Sequence, residues 1–402
     1  MRRSIRTSYT HTILASYLGY ITQAVVNNFA PLLFLTFRSQ MGLTLEQITL
    51  LTTLNFSIQL LVDFLSVKVV DRIGYRPCVV AAHLFSAAGL SALAFLPQLL
   101  GNAYAGLMLA VTLYAMGGGL IEVLVSPIVE ACPTDKKEAA MSLLHSFYCW
   151  GHVAVVLVST AFFQLAGIGN WRIMACLWAV LPLVNALYFS QVPIRRVVDP
   201  QRQLSVRSLF GQKLFWLLLL MMVCAGAAEQ GMSQWASVFA ESGLAVSKTI
   251  GDLAGPCGFA LLMGTSRALY GKFSERLPLR AAMTASAVMC IVCYAIASWS
   301  GSPVLALVGC ALCGFSVGIF WPGTFSTAVP AIPVGGTAMF ALMALAGDLG
   351  CAGGPTVIGF VAGAAGGRLT AGLAVGMVFP AAMLCGICLL YTSPSPRDRQ
   401  KS

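Results

Sequence analysis

The chain alternates between long apolar runs and short polar turns. Twelve runs can be marked, at about 12–36, 46–69, 77–97, 103–130, 139–166, 171–190, 214–240, 247–270, 280–300, 303–329, 336–363 and 370–391. Each is near the ~20 residues that a helix needs to cross the hydrocarbon core of a bilayer. Turns rich in Pro, Gly or charge separate them. The longest polar connection, Gln191 to Lys213, divides the runs into two sets of six. The pattern predicts an all-α polytopic membrane protein with twelve transmembrane helices in two six-helix bundles. The bundles are expected at 1–192 and 214–391, with a linker at 193–213. The polar, Pro/Ser-rich tail 392–402 is expected to be disordered.

Composition agrees with this pattern. Of 402 residues, 58% are hydrophobic and 9% charged, and the mean hydropathy is +0.83, whereas soluble domains carry about 25% charged residues. No cleavable signal peptide is expected. Met1-Arg2-Arg3-Ser4 leads into an apolar run that is too long and lacks a small-residue cleavage site.

The net charge of +10 could suggest a nucleic-acid partner, but its placement says otherwise. With the N-terminus inside, nineteen basic residues fall on inside segments. Only Arg38, Arg172, Lys248 and Arg368 fall outside, and Arg267 lies within a span. This asymmetry predicts a multi-pass protein of the cell membrane with both termini cytoplasmic, and it accounts for the charge without nucleic acid. A monomer is expected.

The 13 cysteines lie almost entirely in apolar runs. The CxxC pairs Cys290/Cys293, Cys310/Cys313 and Cys385/Cys388 lack flanking polar ligands, so they read as small buried hydrophobes rather than as zinc or redox sites. His145 and His152 share roughly one helix face and read as packing or hydrogen-bonding residues. No metal and no cofactor are expected.

The stretch Gly117-Gly118-Gly119-Leu120-Ile121-Glu122-Val123-Leu124-Val125-Ser126-Pro127 concentrates the chemistry. Its glycines permit close helix approach, and Pro127 permits a bend. Glu122 is a carboxylate well inside an apolar run. At a helix centre a charged side chain costs about 2.5–3.5 kcal/mol on insertion scales, and such residues are functional by default.

Other polar residues sit near mid-span. They are Gln23, Asn27 and Asn28 in span 1, Asn55, Gln59 and Asp63 in span 2, and Trp150 in span 5. Span 7 holds Glu229, Gln230, Gln234 and Trp235, span 8 holds Arg267, and span 11 holds Asp348. Amides and aromatic rings are what a polyhydroxyl solute needs, hydrogen-bonding groups for its hydroxyls and a ring face for its C–H side. Asn27, Asn28, Gln59, Trp150, Glu229, Gln230 and Gln234 are therefore candidate substrate-binding residues. Glu122, Glu229 and Asp348 are candidate proton carriers. Arg267 either snorkels to the interface or neutralises Asp348 or a substrate carboxylate. There is no Gly-x-x-x-x-Gly-Lys-Ser/Thr loop and no nucleophile–base–orienter set, so neither ATP-driven transport nor an enzyme is expected.

The two halves echo each other. Asp71-Arg72-Ile73-Gly74-Tyr75-Arg76 follows span 2, and Glu275-Arg276-Leu277-Pro278-Leu279-Arg280 follows span 8. Gly251-Asp252-Leu253-Ala254-Gly255-Pro256 echoes Gly347-Asp348-Leu349-Gly350, and internal repeats of this kind mark secondary transporters. On these residues the chain resembles the major facilitator superfamily over nearly its whole length. Asp71, Arg72, Gly74 and Arg76 match that family's loop between spans 2 and 3, although Val67 stands where a Gly is expected. The resemblance implies that Asp71, Arg72, Arg76, Glu275, Arg276 and Arg280 gate the cytoplasmic side.

Within the superfamily the nearest likeness is to the fucose–proton symporter branch. It rests on Glu122 followed by Ser126-Pro127, on Asn27-Asn28 before Pro31, and on Phe320-Trp321-Pro322-Gly323 in span 10. On that likeness Trp321 joins the substrate-binding set. The branch's acid in span 1 is missing here. The reading is a secondary active transporter of a small polar solute, a sugar or a related compound, working by alternating access with protons as the coupling ion. A proton-driven multidrug efflux transporter is the alternative, since the chain holds 16 Met and 22 Phe. A non-pumping sensor or channel is a third reading.

Overall fold

The computed structural model describes residues 5–133, 137–195, 206–273, 277–332 and 336–392. Among these, regular structure is entirely helical. Eleven helical segments are long and apolar enough to cross a membrane: Tyr9–Met41, Leu45–Leu65, Tyr75–Leu99, Ala103–Val129, Leu143–Ala166, Ile168–Gln191, Lys213–Ser242, Leu279–Trp299, Pro303–Ala328, Leu342–Ala364 and Leu369–Leu390. They fall on eleven of the twelve expected spans. The remaining one, 247–270, is also helical from Lys248 to Phe273. It carries Lys248, Asp252 and Arg267, so its composition is less apolar than that of its neighbours.

Helix ends follow local chemistry. Span 2 opens on a capping box. Thr44 Oγ1 accepts the Gln47 N–H at 3.2 Å, and Gln47 Oε1 accepts the Thr44 N–H at 3.0 Å. The span 2–3 connection is the single residue Gly74, at φ +96°, a conformation that other residues rarely adopt. Asn102 caps span 4 by accepting the Ala105 N–H at 3.1 Å.

The chain forms two compact units. Unit one comprises Met1–Asp199 and Gln234–Leu261; unit two comprises Pro200–Ser233 and Leu262–Ser402. The chain-order division places 234–261 with the second bundle, but these residues pack within unit one.

Unit one is built around close contact between spans 3 and 4. A Cβ at Gly89 would overlap the Tyr114 backbone, one at Gly106 the Leu96–Pro97 backbone, and one at Gly117 the Ala82 carbonyl and Ser86. Where lipid surrounds the helices, backbone proximity of this kind replaces the hydrophobic drive for association. A buried polar knot ties spans 1, 3 and 6. Asn185 Nδ2 donates to the Ala15 carbonyl at 3.0 Å and lies 2.8 Å from His83 Nε2, and His83 Nδ1 lies 2.7 Å from the Val79 carbonyl. At the start of span 3, Arg76 donates to the Phe189 and Ser190 carbonyls at 3.1 and 2.6 Å. It thereby caps the carbonyl end of span 6.

Unit two has its own seam, between spans 7 and 11. Gly226 faces the Gly347 carbonyl, Gly350 the Val223 carbonyl and Gly354 the Ala227 backbone, each too close for a side chain. Next to it Tyr294 donates to the Ala228 carbonyl at 2.8 Å.

Candidate functional site

Span 1 is not one helix. It runs as an α-helix from Tyr9 to Asn28, tightens to a 3₁₀ turn over Ala30–Leu33 that contains Pro31, and resumes at Phe34. Pro31 has no N–H to continue the ladder. The break leaves the Asn27 carbonyl free for a side chain, and Gln234 Nε2 donates to it at 3.0 Å. Gln234 also stands at a break, in the turn between the helices Lys213–Ser233 and Ala236–Val238. Discontinuous helices of this sort form the sites of many transporters.

From Asn27 a buried amide ladder runs through unit one. Asn27 Oδ1 accepts Asn55 Nδ2 at 3.1 Å and Gln59 Nε2 at 2.8 Å. Gln59 Oε1 accepts Gln23 Nε2 at 2.9 Å, and the same nitrogen reaches Glu122 Oε2 at 2.8 Å. Gln23 and Asn27 are four apart on span 1, as are Asn55 and Gln59 on span 2, so each pair stacks on one helix face. Tyr20 Oη and Ser126 Oγ, 3.1 Å apart, add a rung beyond Glu122.

The glycines beside Glu122 make room for the ladder. A Cβ at Gly118 would lie 3.0 Å from Gln23 Oε1, and one at Gly119 would lie 3.0 Å from the Gln59 Cα. Three buried oxygens of this region, Gln23 Oε1, Thr52 Oγ1 and Asn55 Oδ1, have no hydrogen-bond partner among the described residues. Thr52 and Asn55 line a cavity of about 10 Å³, together with Asn27, Phe34, Tyr114 and Gln234. That is about the room one water needs.

Unit two carries a different device. Glu229 is buried, and Arg267 Nη2 lies 3.4 Å from its Oε2. Arg267 Nε donates to the Gly318 carbonyl at 3.1 Å. That carbonyl sits at a third break, between the helices Pro303–Val317 and Phe320–Ala331 of span 10. Gly318 lies so close to Met263 and Ser266 that a side chain there would collide with span 8.

The sequence-derived candidates therefore separate into groups. Asn27, Gln59, Gln234 and Glu122 join one network. Asn28 is buried beside it, with Nδ2 donating to the Ala24 carbonyl at 2.9 Å and to Tyr148 Oη at 3.4 Å. Trp150 is 47% exposed and takes no part in the ladder. Glu229 and Gln230 are buried in unit two. Trp321 covers Gly347, the neighbour of buried Asp348. One partner of Arg267 is Glu229, a pairing the sequence reading did not propose. Among the gating residues, Arg72 and Arg280 are exposed and Arg76 caps span 6. The Asp71 side chain and all of Glu275 and Arg276 lie outside the described residues. Gln23, Asn55 and Thr52 belong to the site although the candidate set omitted them. For Gln23 and Asn55 the i, i+4 spacing to Asn27 and Gln59 was the available signal; Thr52 had none.

A helical bundle of this many spans, with helices broken where buried polar groups gather, is the architecture of a membrane transporter. The chain belongs to the Major Facilitator Superfamily, whose sequence profile matches residues 14–355. No curated protein sequence matches it. Among solved structures, a D-xylose–proton symporter is similar at 12% identity and TM-score 0.76, covering 96% of this chain and 98% of that one. A nucleoside transporter is similar at 14% identity and TM-score 0.75, covering 95% and 100%. The E. coli fucose:proton symporter is similar at 16% identity and TM-score 0.64, covering 95% and 99%. At these identities the likeness establishes the major facilitator fold.

Proposed function

We propose that the protein is a secondary active transporter of a small polar solute, a sugar or a related polyhydroxyl compound, with protons as the coupling ion. The amide ladder that ends on Glu122 carries this reading. Amides present both donors and acceptors at fixed spacing, as hydroxyl recognition requires. A carboxylate at the end of such a ladder can cross the apolar occluded state far more cheaply when it holds a proton. The names of two similar structures, proton symporters for D-xylose and fucose, support the solute class. The termini and the 193–213 linker are placed on the cytoplasmic side, with Asp71, Arg72, Arg76, Glu275, Arg276 and Arg280 as the gate there. The two bundles of the chain-order division, 1–192 and 214–391, are the moving parts, and a monomer is sufficient.

The Arg267–Glu229 pair favours a second reading of the coupling step, in which Glu229 takes the proton and Arg267 is released. One experiment separates the two. Proteoliposomes under a pH gradient are offered D-xylose, L-fucose, a nucleoside and the lipophilic cation tetraphenylphosphonium. Uphill accumulation of a polyhydroxyl compound is expected. Transport of the lipophilic cation alone would replace this reading with multidrug export. Glu122→Gln should retain exchange of solute across the membrane and lose accumulation. Normal accumulation in Glu122→Gln, with loss in Glu229→Gln or Asp348→Asn, would move the coupling to unit two.

A further inference from the structure

Residues 234–261 carry one buried acid, placed against unit one, that the ladder does not use. Asp252 is fully buried. Lys248 Nζ lies 3.0 Å from its Oδ2 and donates to the Leu32 carbonyl at 2.6 Å, in the 3₁₀ turn of span 1. Ser237 donates to Asp252 Oδ1 at 2.5 Å, and Thr160, on span 5, to Oδ2 at 3.5 Å. One turn further along span 5, Gln164 donates to Thr249. The carboxylate thus gathers spans 5, 7 and 8, and Lys248 extends the cluster to span 1. An unpaired charge is expensive away from water, so these partners can separate only together or with water entering.

The backbone on both sides of this node departs from α geometry. Phe239–Gly243 and Leu253–Cys257 are π-helical, the second with Pro256 inside it. Single π turns are uncommon and concentrate at functional sites, because they reset the register of the helix beyond them. Gly255 and Gly251 bring the two segments together. A Cβ at 255 would lie 3.0 Å from the Ala236 carbonyl oxygen, and one at 251 would lie 3.1 Å from the Ala240 Cβ. The segment is therefore a tightly paired hairpin with a register break in each arm and one ionic fastening.

We infer that Asp252, with Lys248, Thr160 and Ser237, is a gate on the membrane face that carries the span 1–2 and span 7–8 turns. The fastened form closes the ladder's cavity on that face, and release of 234–261 from spans 1 and 5 opens it. This rests on transport by alternating access, but its test needs no substrate, so failure here leaves that reading standing.

The test uses the full-length protein in detergent, as Asp252→Asn, Lys248→Met and the milder Thr160→Val. Deuterium uptake is followed by mass spectrometry. A Val26→Cys background adds a thiol at the cavity wall, followed peptide by peptide with an impermeant maleimide. Asp252→Asn and Lys248→Met should speed exchange across 236–258 about tenfold or more, and Thr160→Val about threefold. Maleimide labelling at 26 should rise several-fold, while exchange in 213–233 and 279–299 stays unchanged. If Asp252→Asn does not fold, the other two variants decide the matter. Unchanged exchange in 236–258, faster exchange everywhere alike, or faster exchange with no gain in labelling at 26 would each overturn the gate. The last two results would leave Asp252 a structural tie.

Discussion

In unit one Glu122 takes a hydrogen bond from a neutral amide, whereas in unit two Glu229 is set against a cation. Glu122 meets Gln23 Nε2 at 2.8 Å. Glu229 meets Arg267 at 3.4 Å. The difference matters because the two arrangements respond differently to loss of charge. An amide can serve a carboxylate, a carboxylic acid or another amide by exchanging donor for acceptor. A guanidinium only donates, and removing its carboxylate partner leaves its charge less well compensated. The Glu122 site can therefore tolerate a neutral residue, and the Glu229 site tolerates one less well.

The largest effect that would test this contrast is expected from Arg267→Met. It strands Glu229 and should lower the unfolding free energy by about 3 kcal/mol, read from thermal or denaturant unfolding of the purified protein. The double variant Glu229→Gln/Arg267→Met should recover most of that loss. If it is no more stable than the single variant, charge compensation is not what Arg267 supplies.

A smaller loss is expected at Gly118. Its Cβ would stand 2.9 Å from Val26 Cγ1 and 3.0 Å from Gln23 Oε1, so Gly118→Val should displace the ladder and cost about 1–3 kcal/mol. Solute binding should fall with it. Binding at wild-type strength would show that the ladder is not the recognition surface.

Asn27→Leu leaves Asn55 and Gln59 without their shared acceptor and should cost about 1 kcal/mol, measured in the same unfolding assay. The smallest change is expected for Glu122→Gln, at under about 0.5 kcal/mol, because an amide can accept the same bond from Gln23. A loss as large as that of Arg267→Met would erase the distinction between the units.

The fold was largely legible in the amino-acid sequence. Hydropathy alone marks eleven of the spans, and a run as apolar as Tyr104 to Val129 has few alternatives. The span 247–270 was legible by position rather than by composition, since Lys248, Asp252 and Arg267 interrupt it. The glycines of span 4 announced close packing, but not that Gly117 meets span 3 while Gly118 and Gly119 face the amides of spans 1 and 2.

Polar residues in apolar runs pointed to Asn27, Gln59, Gln234 and Glu122. Spacing along one helix names a face and never the residue opposite, so the joining of these side chains, and of Arg267 with Glu229, could not be read. The break at Gln234-Trp235 contains neither Pro nor Gly and left no mark in the pattern. Trp150, an aromatic residue at a suggestive depth, is about half exposed and stands apart from the ladder.

The ladder also has a direction. Gln23 gives both of its bonds from one nitrogen and keeps Oε1 unused. Turned over, the same amide would offer that oxygen to a protonated Glu122 and withdraw its donor from Gln59. Gln59 would then be free to turn as well, and Asn27 would receive one donor fewer. A row of amides of this kind is a string of two-position tokens. On the proposed coupling, a proton at one end would be passed on as a change of polarity in each amide in turn, as far as the side chain of Asn27.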